Sequence, residues 1–173
     1  MVLSRLILGL LAIAPMTGYD VKRHVDSTVR HFWAADKAQV YRALASLVKD
    51  GYATVEVVRQ ETRPDRQEHH ITEAGRAALR DWLASPLPAP TDRDPFLARL
   101  FFAGNLGRDQ VLALLHQRRA QAEELLAALT AMRRAPDAAT DRSAYLRNAT
   151  LESGLAHARA ELAWLQTVET DLP

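Results

Sequence analysis

The sequence predicts a mainly α fold: a winged helix-turn-helix with a two-stranded β wing, followed by an antiparallel helical domain that pairs with a second copy. Three observations predict it. The segment Lys37–Lys49 (KAQVYRALASLVK) places Val40, Ala43, Leu44, Leu47 and Val48 on one helical face and carries Lys37, Arg42 and Lys49 with no acidic residue. Two β-like runs follow, residues 52–60 and 68–72, joined by the polar turn ETRPDRQ around Pro64. Near the C-terminus two long segments repeat apolar residues in steps of four and three. A basic helix followed by a basic-tipped hairpin suits a helix in the major groove and a tip beside the phosphates. The chain is therefore expected to bind double-stranded DNA.

Residues 3–14 read as a first helix, apolar almost all round and so expected to be buried, and Pro15 stops it. Arg5, the apolar run 6–14 and Ala12-Ile13-Ala14 imitate a short secretory signal. The run falls well short of the ~20 residues that span a bilayer. Pro15 is disfavoured after a cleavage site, and removal would strip the next segment of its packing partner, so a core helix is the expectation. No membrane segment is expected elsewhere. Thr17-Gly18 opens a second helix over residues 19–28, with Tyr19, Val21, Val25 and Val29 apolar. A loop with Phe32-Trp33 leads to the basic helix, which Gly51 ends because a helix C-terminus favours a residue free of Cβ strain. Thr72 caps a fourth helix, residues 76–84, with Leu79, Trp82 and Leu83 facing inward.

SPLPAP, residues 85–90, is a stiff linker and divides the chain into a DNA-binding domain (1–84), a connection (85–93) and a helical domain (94–173). Residues 94–103 form a short aromatic-rich helix. Val111, Leu115, Arg118, Ala122, Leu125, Leu129 and Met132 make one seam, and Leu151, Leu155, Ala158, Leu162 and Leu165 the other. Pro136 and the DAATD segment separate the two. Leu126, Tyr145 and Trp164 lie off the seams, and a homodimer is the expected cover.

Composition excludes more than it assigns. With 173 residues, 48% hydrophobic and 25% charged, the chain is an ordinary globular protein. The absence of cysteine rules out a disulfide framework and fits a reducing cytoplasm. A net charge of +1 gives no general case for nucleic acid, so any DNA-binding field must come from local clustering. The same near-neutrality supports a rival reading, a winged-helix module that binds protein without DNA. His69-His70 point to opposite faces of a strand and cannot share a metal, and His24, His31, His116 and His157 lack an i, i+4 histidine partner. There is no P-loop, GxGxxG, nucleophile elbow or HExxH. Neither an enzyme, a cofactor nor a metal site is expected.

Gln39, Tyr41 and Arg42 occupy the first turns of the basic helix, the part that reaches base edges, where glutamine reads adenine and arginine reads guanine. Lys37 and Lys49 are phosphate candidates at its two ends, although a lysine also suits a helix C-terminus by its dipole. Arg63 and Arg66 at the hairpin tip could grip phosphate or minor groove, against the plain alternative of a charged exposed turn. Tyr19 either offers its hydroxyl to a phosphate or packs as a core aromatic. Phe32, Trp33, Phe96, Phe101, Phe102 and Trp164 could line an effector pocket, with Arg99 or His157 to meet a carboxylate; the alternative is that they are packed core.

The chain resembles the PadR family of transcriptional regulators. The matching pieces are ILGLLAIAPMTGYDV (residues 7–21), Phe32-Trp33, QVYRAL (39–44), SLVKDGY, RPDR (63–66) and ITEAGRAALRDWL (71–83), and their order and spacing are more specific than any one of them. DPFLARLFFAGNL (94–106) resembles the start of the helical dimerisation region in the phenolic-acid-responsive branch. The resemblance implies a homodimeric repressor that leaves a pseudo-palindromic operator when a small aromatic or phenolic effector binds. Arg42 stands where the family usually has proline, and His70 where it usually has tyrosine before the second wing strand ends. The first adds a cation to the helix; the second puts one wing contact in question.

Overall fold

The computed structural model describes residues 2–59, 66–89, 93–133 and 141–173, which divide into two compact units, residues 1–89 and 90–173. In the first unit the order is α1 (Val2–Ile13), β1 (Met16–Thr17), α2 (Gly18–His24), a π-helical turn (Val25–Val29), α3 (Lys37–Lys49), β2 (Ala53–Val58), β3 (Arg66–Ile71) and α4 (Glu73–Ala84).

The core is built on one face of each helix. Ile7, Leu8 and Leu11 of α1 meet Val21 of α2 and Val40, Leu44 and Leu47 of α3, all nearly inaccessible to water. Each such side chain contributes about 1.5–3 kcal/mol by leaving water. Asp36 starts α3: its Oδ1 accepts the Gln39 N–H at 2.7 Å, and the Gln39 Oε1 accepts the Asp36 N–H at 2.9 Å. Gly51 ends it in a left-handed conformation, φ +74°. Thr72 accepts the Gly75 N–H at 3.0 Å to cap α4 and donates to the Gly51 carbonyl at 2.8 Å, tying that cap to the end of α3.

Four local expectations are corrected. The sheet has three strands in the order β1-β3-β2, because Met16 and Thr17 pair antiparallel with His69 and Glu68; a two-residue strand leaves no periodic trace in a sequence. The second helix begins at Gly18 and loosens into a π-helical turn at Val25. In α1 only one face is fully buried, and Ile13 is 65% exposed. Leu83 points away from the core, 67% exposed, while Leu79 packs against it.

The second unit holds α5 (Pro95–Phe101), a 3-10 turn (Ala103–Asn105), α6 (Arg108–Met132) and α7 (Arg142–Asp171). The predicted seams meet: Val111, Leu115, Ala122 and Leu129 of α6 are buried, as are Leu151, Leu155, Ala158 and Leu165 of α7. The helices run antiparallel, since Arg118, Arg119 and Arg133 reach Glu161, Glu169 and Glu152. Leu126, expected off the seam, packs on Leu129, Leu151 and Leu155 within the chain. Tyr145 and Trp164 are exposed.

Candidate nucleic-acid interface

The amphipathic spacing of α3 decides which side chains leave the core. With Val40, Leu44 and Leu47 inward, Lys37, Tyr41, Ala45 and Lys49 follow one another at i, i+4 on the outer surface, with Arg42 beside them. Lys37, Arg42 and Lys49 make no ion pair with any described residue. Lys37 instead sets its Nζ 5.7 Å from the Tyr41 ring centroid.

A groove of about 960 Å³ opens between this face, the start of α2 and the sheet. Tyr19, Tyr41, Lys49 and Arg66 line it, four of the residues singled out from the sequence. Thr17, Gly18, Asp20, Ala45, Gln67 and His69 line it too, and these the sequence reading missed. Tyr19 is 68% exposed, so it is no core aromatic. Arg66 sits on β3 with its Nη2 2.7 Å from Glu68, so a phosphate must compete with that carboxylate for it. Arg63 lies outside the described residues.

Gln39, expected to reach base edges, also takes part in the cap of α3. Its Oε1 accepts the Asp36 N–H, which leaves both Nε2 donors and a second Oε1 lone pair outside that bond. Asp20 lies deeper: Thr17 Oγ1 donates to its Oδ2 at 2.7 Å, and Arg23 approaches Oδ1 at 3.3 Å. The Thr17 hydrogen bond, helped by the charges of Arg23 and Arg66, holds this carboxyl below the usual range despite partial burial. Thr17-x-x-Asp20 is a capping-box spacing, the one signal that could have located this wall beforehand. His69 is half-buried between Met16 and Val55, and burial lowers its pKa. His70, in place of the family's tyrosine, lies 3.3 Å from Glu56 through Nε2. Among the described residues no three His, Asp or Glu side chains gather as a metal cage would require.

Comparison with known proteins settles the class. Residues 7–81 match the Transcriptional regulator PadR-like family, and residues 93–172 match the family Virulence activator alpha C-term. The negative transcriptional regulator PadR of Bacillus subtilis is 31% identical over 129 residues, covering 72% of this chain and 71% of its own. The chain belongs to the PadR family. The B. subtilis PadR crystal structure in complex with operator DNA superposes with a TM-score of 0.84 at 26% identity over 98% of each chain. Its complex with p-coumaric acid does so at 0.76, again 26% and 98% of each. The winged fold with C-terminal helices is thus the PadR fold, and the chain is a transcriptional regulator, not an enzyme. No helix of the described residues is long and apolar enough to cross a membrane.

The residues considered for an effector divide between the units. Phe32, exposed, packs edge-on against His31 after α2, and Trp33, half-buried, follows it. In the second unit Phe96 is 8% exposed and packs with Val111, Leu115 and Leu165, edge-on to Trp164 and beneath Arg118, so it is core. Arg99 and Phe102 come together on a cavity of about 730 Å³ with Leu106, Gln110, Leu114 and Gln117. Phe101 is almost wholly exposed and stacks edge-on with Phe102. His157 is exposed on α7, its Nδ1 2.7 Å from the Ser153 carbonyl.

Proposed function

We propose that this PadR-family chain works in the cytoplasm as a homodimeric repressor that holds a pseudo-palindromic operator and lets go when a small aromatic acid binds. The observation that carries the DNA-binding half is the cationic face of α3: Lys37, Arg42 and Lys49 make no ion pair among the described residues, and Lys49 lines a groove whose far wall brings Arg66. Unpaired surface cations keep their charge available for phosphates, and displaced counterions make such binding fall with salt. A dimer would set its two α3 helices about 34–36 Å apart, one turn of duplex. In this reading residues 1–84 meet DNA, residues 85–93 connect, and residues 94–173 pair the subunits and receive the effector.

The effector half leans on the cavity beside Arg99. Its volume is within the ~300–1,000 Å³ of small-molecule sites, its walls are largely apolar, and Arg99 supplies a cation for a carboxylate. The p-coumaric acid complex of the B. subtilis relative makes that chemistry the first to try.

Fluorescence anisotropy on duplexes tiling the region beside its own gene tests the first half. Binding to one fragment should exceed the rest, and Lys37→Ala should lower the slope of log K against log salt by about one. An unchanged slope removes Lys37 from the interface, and no preferred fragment removes the operator reading. Calorimetric titration with p-coumaric acid, in the parent and in Arg99→Ala, tests the second.

A further inference from the structure

Gly18 is the first residue of α2 and is buried, yet what it meets is a side chain of the DNA face. A Cβ placed on it would lie 2.9 Å from Tyr41 Cε1, 3.0 Å from Cζ and 3.2 Å from the hydroxyl. Carbon atoms pack best about 3.5–4.0 Å apart, so any side chain here would push the outer half of the ring away. The backbone gives no other reason for glycine: Gly51 alone among the described residues has positive φ. Alanine would in fact favour the helix at this position. What Gly18 supplies is room.

The room is used. Tyr41 rests on the start of α2 on one side, has the Lys37 ammonium near its ring, is 44% exposed, and lines the groove together with Gly18 and Tyr19. A ring held in this way has little rotamer freedom left to lose on binding.

We propose that Gly18 is a positioning residue for DNA binding: its absent side chain is the seat that aims the Tyr41 hydroxyl at a backbone phosphate. The inference rests on reading α3 as the DNA-contacting helix, and a hydroxyl directed at phosphate is a recurrent positioning contact.

A double-mutant cycle on the full chain tests it, with anisotropy on the preferred fragment and thermal melting of every variant. Tyr41→Phe, which keeps the ring and loses the hydroxyl, should weaken binding by about ten- to a hundredfold, the worth of one hydrogen bond to a charged acceptor. Gly18→Ala should cost about as much. Added to Tyr41→Ala, the same change should cost nothing further, because the atoms it would strike are gone. In 3-fluorotyrosine-labelled protein the Tyr41 resonance should shift in Gly18→Ala while the Tyr52 and Tyr145 signals hold. Equal loss from Gly18→Ala with and without the Tyr41 ring, or full affinity in Tyr41→Phe, overturns the proposal. Should the parent chain favour no fragment, the DNA-binding reading itself falls, an outcome distinct from either.

Discussion

Arginine does opposite things in α3 and in α6. In α6, Arg118 is held by Glu161 at 2.6 Å and Asp94 at 3.3 Å, and Arg119 grips both carboxylate oxygens of Glu169 at 3.1 and 2.7 Å. These partners lie 24 to 50 residues away in sequence, so the bonds fasten one helix to another. In α3, Arg42 reaches no carboxylate among the described residues, and the lysine and arginine ion pairs described in the winged unit, such as Lys22 with Asp26 and Arg80 with Glu73, are local. On α3 the surplus is cationic; around α5 it is apolar, with Leu97, Phe101, Phe102 and Leu106 exposed. Each surplus fits a different partner, phosphate for the first and protein or an apolar ligand for the second.

The sharpest way to break that contrast is to damage the apolar seam. Leu155 is inaccessible to water between α6 and α7. Leu155→Ala should cost about 2–5 kcal/mol, since the cavity left adds to the lost transfer energy. Hydrogen exchange should quicken throughout α6 and α7 and stay unchanged in α1 to α4. Equal acceleration in both units would show that they unfold as one body and that the contrast is only descriptive.

Next in size is the test of unpaired against paired arginine. Arg42→Ala should relax preference at one base step by about 1–3 kcal/mol, the discrimination of one good base contact. Arg119→Ala should leave base preference as it was while loosening α7. If Arg42→Ala instead weakens binding to all duplexes alike, Arg42 holds a phosphate.

These contrasts were partly legible in the chain. The period of residues 37–49 and their lack of acids gave both the buried and the exposed face of α3, because a helix's periodicity is a local property. The four-and-three steps gave the α6–α7 seam for the same reason. Three things resisted. Arginine partners such as Glu169 for Arg119 depend on how two helices stack, which spacing within one helix does not encode. The groove joins Thr17, Lys49 and Arg66 from three separate segments, and β1 was too short to announce itself. The Gln39 cap escaped notice because helix position was weighed without its neighbour; Asp36-x-x-Gln39 is a capping box that could have been read.

The smallest expected effect is a difference in acid sensitivity. In the helical unit the Arg119 hydrogen bond holds the Glu169 carboxyl below its usual range, outweighing desolvation. A carboxyl more acidic in the folded chain stabilises it above its unfolded value, about 4.3, and that contribution fades as pH falls towards the folded value. In the winged unit burial lowers the pKa of His69, against a Met16 backbone hydrogen bond that raises it and with His70 adding to the fall. The unfolded imidazole, with a pKa near 6.5, then takes up its proton first, so stability drains as pH drops below about 6.5. Asp20 adds an acid-range loss to the winged unit as well. Hydrogen exchange followed by element should therefore show β1 and β3 loosening first, as pH falls below about 6.5, where α6 and α7 hold, and the helical pair following only below about 4.3. His69→Gln should remove the earlier phase and Arg119→Ala should flatten the later one. If α6 and α7 soften in the first window, their acid response does not come from Glu169.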